Sequence, residues 1–117
     1  VCGISYRQDV GDTRYSPSEI LVKELLKRKA NVKCHDPYLS YWEELGIELI
    51  DKVPENDQFD AVIFAVPHTD YKKLDLTEWL DEKTIILDAN MVFGKVTREE
   101  AKACGIQIEG IGRANGL

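Results

Sequence analysis

Two stretches of the chain are almost unbroken in apolar residues: "DAVIFAV" at 60–66 and "TIILDA" at 84–89. Both runs predict buried strands, and the first, nearly unbroken, predicts burial on both faces, as in the centre of a parallel sheet. Residues 1–6 read as a further short strand. In "NVKCHDPY" (31–38), Val32 and Cys34 alternate with polar residues until Asp36 and Pro37 stop the pattern, which predicts a strand and a turn. From Pro17 the period changes: Ile20, Leu21, Leu25 and Leu26 recur at helical spacing. Ser16, Pro17 and Glu19 give that helix a capping box with proline in its first position, and Lys27, Arg28 and Lys29 suit its carbonyl end. "SYWEELG" (40–46) predicts a short amphipathic helix and "IELI" (47–50) a marginal strand. "HTDYKKLDLTEWL" (68–80) predicts one or two short helices, "TREEAKAC" (97–104) a helix capped by Thr97 with Glu100 three residues on, and "IQIEGIG" (106–112) a last strand.

Strand and helix therefore alternate along residues 1–117, with no internal repeat. With right-handed crossovers this order predicts an α/β fold: a three-layer, Rossmann-like, doubly wound and mostly parallel sheet in a single domain. Such sheets bind ligands beyond the carboxyl ends of their strands, where strand order reverses. Tyr6 with Arg7, Asp36, Pro67 with His68, Asn90 with Met91, and Gly112 with Arg113 are expected at that edge.

Composition narrows the function. The chain has 117 residues, 44% hydrophobic and 31% charged, enough to close one core without disulfides or metal. A net charge of −6 speaks against nucleic acid or an anionic membrane as partner, because both call for a basic face. No run reaches the length of a membrane span, and a cytoplasmic protein is expected. Cys2, Cys34 and Cys104 are odd in number and widely spaced, which predicts free thiols rather than a disulfide framework or a metal site. Val1 falls inside an expected strand, so the chain reads as a piece of a longer polypeptide.

A lone dinucleotide-binding unit would carry GxGxxG after its first strand, and here only Gly3 and Gly11 are present. In its place stands a loop with Arg7 and Arg14 that runs into a helix N-terminus, where unpaired N–H groups and the helix dipole favour anions. Arginine forks match phosphate oxygens. Asp9 and Asp12 lie between the two arginines, so the loop is either a phosphate site or a set of local ion pairs. His68 and His35 read as structural histidines. Tyr15, Tyr38, Tyr41, Trp42 and Trp79 read as cover for helix and core faces. A phosphoacceptor receiver would need an aspartate ending the central strand, which here ends Ala65-Val66-Pro67. No His, Cys and carboxylate group has metal-ligand spacing.

Taken together, "GISYRQDVGDTRYSPS", "VKCHDPY", "FDAVIFAVPHTDY" and "ILDANMVF" resemble, in order and over essentially the whole chain, the C-terminal, UDP-binding domain of the UDP-glucose/GDP-mannose dehydrogenase family. The resemblance implies a three-part, homo-oligomeric enzyme. An N-terminal domain holds NAD, a central helical region mediates dimerisation, and the C-terminal domain closes over a UDP-sugar. It also implies oxidation of the sugar's C6 alcohol to a carboxylate in two NAD-dependent steps, through a thiol-bound intermediate on a cysteine outside this domain. Tyr6 and Arg7 fall on the family's aromatic-lysine pair that contacts the nucleotide sugar. Arg14 falls on an arginine that reaches toward NAD across the domain cleft. Arg7 replaces the usual lysine, exchanging a point charge for a planar fork. Asn90 and Met91 stand where many UDP-glucose enzymes carry an arginine, which leaves room for an N-acetylated hexosamine nucleotide. None of the cysteines lies in a glycine-rich nucleophile motif, so this chain alone is expected to be catalytically inert.

The rival expectation is a free-standing α/β ligand-binding or interaction module without catalysis. It predicts a start codon just upstream of Val1, whereas the dehydrogenase predicts a much longer reading frame with GxGxxG near its start.

Overall fold

The computed structural model describes residues 1–53, 59–79 and 83–110. Strands β3 (Ala61–Phe64), β4 (Ile85–Asp88) and β5 (Ile108–Gly110) form a parallel sheet in that order, with Val62 opposite Ile86 and Ile86 opposite Ile108. Residues 1–4 extend the sheet beyond β3. The Cys2 N–H donates to the Ile63 carbonyl at 2.7 Å and the Ala65 N–H to the Cys2 carbonyl at 2.9 Å. Residues 33–36 lie beyond these, joined through parallel pairing of Cys2 with His35. The spatial order is thus the 33–36 segment, the 1–4 segment, β3, β4 and β5. It reverses between residues 1–4 and β3, and that is the crevice in which a doubly wound sheet binds ligands.

Two cores flank the sheet. Cys2, Val62, Phe64, Ile86 and Ile108 pack with Tyr71 of α2 (Thr69–Lys72), Leu76 of α3 (Leu76–Trp79) and Ala101 of α4 (Lys95–Ala103). Phe64 meets Phe93 edge-on at 4.7 Å between ring centroids. Burial of a side chain like Phe64 is worth about 1.5–3 kcal/mol. On the other side Ile4, Cys34, Trp42 and Leu49 pack with Val22 of α1 (Pro17–Lys27). Cys2 and Ile4 would share one face of a regular strand, yet they belong to different cores. Gly3 between them takes φ +98°, and a Cβ there would stand 2.7 Å from Val66 Cβ, so only glycine permits the turn of the chain.

Several expectations are corrected. "SYWEELG" is not helical: β1 (Tyr41–Trp42) and β2 (Ile47–Glu48) form an antiparallel hairpin, closed by Gly46 at φ +64°. Burial of the Trp42 side chain in the second core outweighs the local helical pattern. The strands β3 and β4 are buried on one face only. Ala61 and Ile85 are exposed, because α1 covers residues 1–4 and 33–36 rather than these strands. On α1 the inward positions are Ser18 and Val22, while Ile20 is 77% exposed and Leu26 45%. Ser16 caps the Ser18 N–H, but Glu19 pairs with Lys23 instead of closing the capping box. The last helix starts at Lys95 after Gly94, so Thr97 lies inside it and caps nothing. Tyr15 is 97% exposed and covers nothing, whereas Tyr38 and Tyr41 are half-buried and the Tyr38 ring lies 5.0 Å from that of His68. The Trp79 side chain and residues Gly112 and Arg113 lie outside the described residues.

Candidate functional site

At the crevice a single buried carboxylate organises three chain segments. Asp36 ends the 33–36 segment, and its Oδ2 accepts from the Ile4 N–H (3.0 Å), the Ser5 N–H (3.2 Å) and the Ser5 hydroxyl (2.7 Å). The same oxygen lies 2.9 Å from His68 Nε2, and Oδ1 accepts the Tyr38 N–H at 2.9 Å. Burial pushes the Asp36 carboxyl upward, but the bonds from His68, the two backbone amides and Ser5 outweigh it and hold the group below the usual carboxylate range.

His68 follows β3 and is fully buried. The Asp9 N–H donates to its Nδ1 at 2.8 Å, so Nδ1 keeps its lone pair and Nε2 carries the hydrogen given to Asp36. Both nitrogens are engaged inside the protein. The ring therefore has no free nitrogen to offer a substrate as base, which agrees with its structural reading. His35 is likewise internal, its Nδ1 2.8 Å from the Tyr71 hydroxyl.

The loop that follows residues 1–4 is anchored at both ends. Beyond the Asp36 contacts, Asp9 sits at φ +57° and its carboxylate accepts from the Thr69 N–H (2.8 Å) and hydroxyl (2.7 Å) at the start of α2. These bonds, chiefly that from the Thr69 amide, hold the Asp9 carboxyl below its usual range. Tyr6 and Arg7 lie between the anchors, and the Tyr6 N–H donates to the Asp12 carbonyl at 2.8 Å. The Arg7 guanidinium stands 5.3 Å from the centre of the Tyr6 ring and joins no ion pair with a described carboxylate.

Arg14 is differently placed. Its Nε and Nη2 grip Asp12 at 3.1 and 2.7 Å, and that guanidinium pulls the Asp12 carboxyl down to about 2. Of the two expected loop arginines, one is thus locally paired and one is open. A phosphate arriving at this edge meets Arg7 as a ready fork, whereas Arg14 would first have to release Asp12. Asp9 pairs with neither arginine.

Asn90 joins the same edge, its side-chain amide 3.4 Å from the Ala65 carbonyl, and Met91 beside it is 52% exposed at φ +50°. The loop they occupy is held by Asp88, which accepts from the Val92 N–H (2.8 Å), the Phe93 N–H (3.0 Å) and Arg98 Nη2 (2.9 Å). Sequence reading missed this anchor. Its signal is a carboxylate closing an apolar strand, as with Asp36. The groups after residues 4, 36, 66 and 89 do converge.

Neither glycine near the loop offers the open backbone by which a GxGxxG turn lets a pyrophosphate approach. A Cβ on Gly3 would meet Val66, and one on Gly11 would lie 3.3 Å from Tyr38, so both open positions are filled by the protein itself. The two buried cysteines are not poised as nucleophiles: burial raises the Cys34 thiol and pushes Cys2 up to about 12. Cys104 is exposed, but it closes the far end of α4. No group of His, Cys and carboxylates among the described residues has metal-site geometry, and no described helix is long and apolar enough to cross a membrane.

An α/β domain with an anchored, cationic loop at its switch point offers an anion a place to bind. The chain belongs to the UDP-glucose/GDP-mannose dehydrogenase family, whose UDP binding domain matches residues 1–95. Among curated proteins it is similar to the UDP-N-acetyl-D-mannosamine dehydrogenase of Methanococcus aeolicus, 32% identical over 75 residues, and to that of Methanocaldococcus jannaschii, 31% identical over 75 residues. Each match covers 64% of this chain but only 16% and 17% of the relative's length.

Proposed function

We propose that this chain is the UDP-sugar-binding domain of a longer, cytoplasmic, homo-oligomeric NAD-dependent dehydrogenase that oxidises the C6 alcohol of its sugar to a carboxylate in two steps. The observation that carries the reading is the open guanidinium of Arg7 on a loop pinned at both ends beside the switch point. Tyr6 and Arg7 bind the nucleotide sugar. Arg14 is assigned to the cofactor side, where a phosphate of NAD held by another domain would replace Asp12 as its partner. Asn90 and Met91 bring no cation to the edge, and the similar proteins are named for a UDP-N-acetylhexosamine, so we assign that class of substrate. Catalysis itself belongs to residues outside this chain.

Calorimetric titration with UDP, with Arg7→Ala beside the wild type, tests the reading. A charge-assisted contact is worth about 1.5–3 kcal/mol, so the variant should bind some ten- to 150-fold more weakly. Equal affinity in the two proteins refutes the assignment. If the wild-type chain binds no UDP, the same pair is compared in the whole enzyme, where Arg7→Ala must raise KM for the UDP-sugar.

A further inference from the structure

His68 ties the 33–36 segment to the far end of the arginine loop, where the Tyr38 hydroxyl adds a longer bond to the Asp9 carboxylate at 3.3 Å. Its Nε2 faces Asp36 at 2.9 Å and its Nδ1 receives the Asp9 amide at 2.8 Å, partners 32 and 59 residues away in the chain. Asp36 in turn fixes the amides of Ile4 and Ser5. The relay Asp36–His68–Asp9 therefore holds both ends of the short stretch that presents Tyr6 and Arg7. Asp9 sits in the left-handed region at φ +57°, a conformation that persists in a non-glycine residue when its surroundings impose it. The Thr69 contacts reach the Asp9 carboxylate, but only His68 takes its amide.

We propose that His68 is a positioning residue for the nucleotide site: by accepting the Asp9 amide while donating to Asp36, it sets the loop in the form in which Arg7 meets a phosphate. The proposal rests on the reading of Arg7 as a UDP-sugar contact. Preorganising a charged fork removes an ordering cost that binding would otherwise carry. Loss of the relay should therefore lower affinity even though His68 never touches the ligand.

Two variants and a ligand-free measurement test this. Glutamine at this position can offer a carboxamide N–H to Asp36 and a C=O to Asp9, whereas leucine has comparable bulk and can do neither. In the wild type, nitrogen-detected NMR should show a bare Nδ1, a protonated Nε2, and a coupling across the Asp9 N–H···Nδ1 bond. His68→Leu should speed exchange of the Asp9 amide at least about tenfold, leave the β3 amides protected, and weaken UDP binding about tenfold or more. His68→Gln should restore most of both. Unchanged UDP affinity in His68→Leu overturns the proposal, as does a loss of affinity with Asp9 exchange unaltered. A proton on Nδ1 in the wild type overturns it without any variant, which covers a leucine protein that does not fold. Failure of the underlying reading looks different: the wild type then shows the tautomer and the coupling but UDP affinity that does not depend on Arg7.

Discussion

Replacing Asp36 by alanine removes the acceptor shared by the Ile4 N–H, the Ser5 N–H and the His68 Nε2–H, and leaves the last with the Ser5 hydroxyl oxygen at 3.2 Å. Each buried donor left without a partner costs about 1–3 kcal/mol. The two orphaned amides cost about 2–6 kcal/mol, the weakened His68 bond adds to this, and water entering the vacated volume relieves part of it. We expect a loss of about 3–5 kcal/mol, the range for breaking one side of a buried polar pair. At about 2.1 cal/mol/K per residue the unfolding entropy of this chain gives roughly 4 °C per kcal/mol, hence a fall in Tm of about 12–20 °C. Urea unfolding followed by circular dichroism measures it, with the midpoint shifted and the slope unchanged. The pH dependence supplies a second check. Asp36 titrates below its unfolded value of about 3.9, so its contribution is complete above that pH and fades as pH falls through the folded value. The gap between wild type and Asp36→Ala should be constant near neutrality and close below about pH 4. A loss under about 1 kcal/mol at neutral pH would show that Asp36 is not the anchor described above.

Two further outcomes follow from packing. Gly3→Ala puts a methyl group 2.7 Å from Val66 Cβ at φ +98°, and should cost about 2–4 kcal/mol in the same unfolding assay; a neutral substitution would mean that the crossing of Gly3 and Val66 is looser than drawn. Among the cysteines, Cys104 is exposed while Cys2 and Cys34 are buried with raised thiols, so a thiol reagent at mild pH should label one cysteine in the native protein and all three after denaturation. Prompt native labelling of Cys2 would contradict its place in the core.

The hydrophobic pattern located β3, β4, α1 and the alternation of strands with helices, because these depend on periodicities that a short window contains. The pattern of "YRQDVGDTR" likewise marked the loop as a place for anions or ion pairs, and the structure divides it: Arg14 with Asp12, Arg7 open. Where the window was short and burial decided, the reading failed. Residues 40–46 read as a short helix from a window of about two turns, and the insertion of Trp42 among Ile4, Val22 and Cys34 selected the hairpin instead.

What the sequence determined by itself was the class of fold, the edge at which such a fold opens its crevice, and a family resemblance carried by motifs in the right order. What only the tertiary structure decided was which of those residues are engaged by the protein itself and which are left open. Asp36, His68 and Asp9 are an aspartate at a strand end, a histidine after a proline and one carboxylate among several in a loop, and nothing local pairs them. Their partners lie 32 and 59 residues away. A buried polar group must find a partner wherever the chain brings one, and that choice is made by the crossing of strands, not by spacing along them.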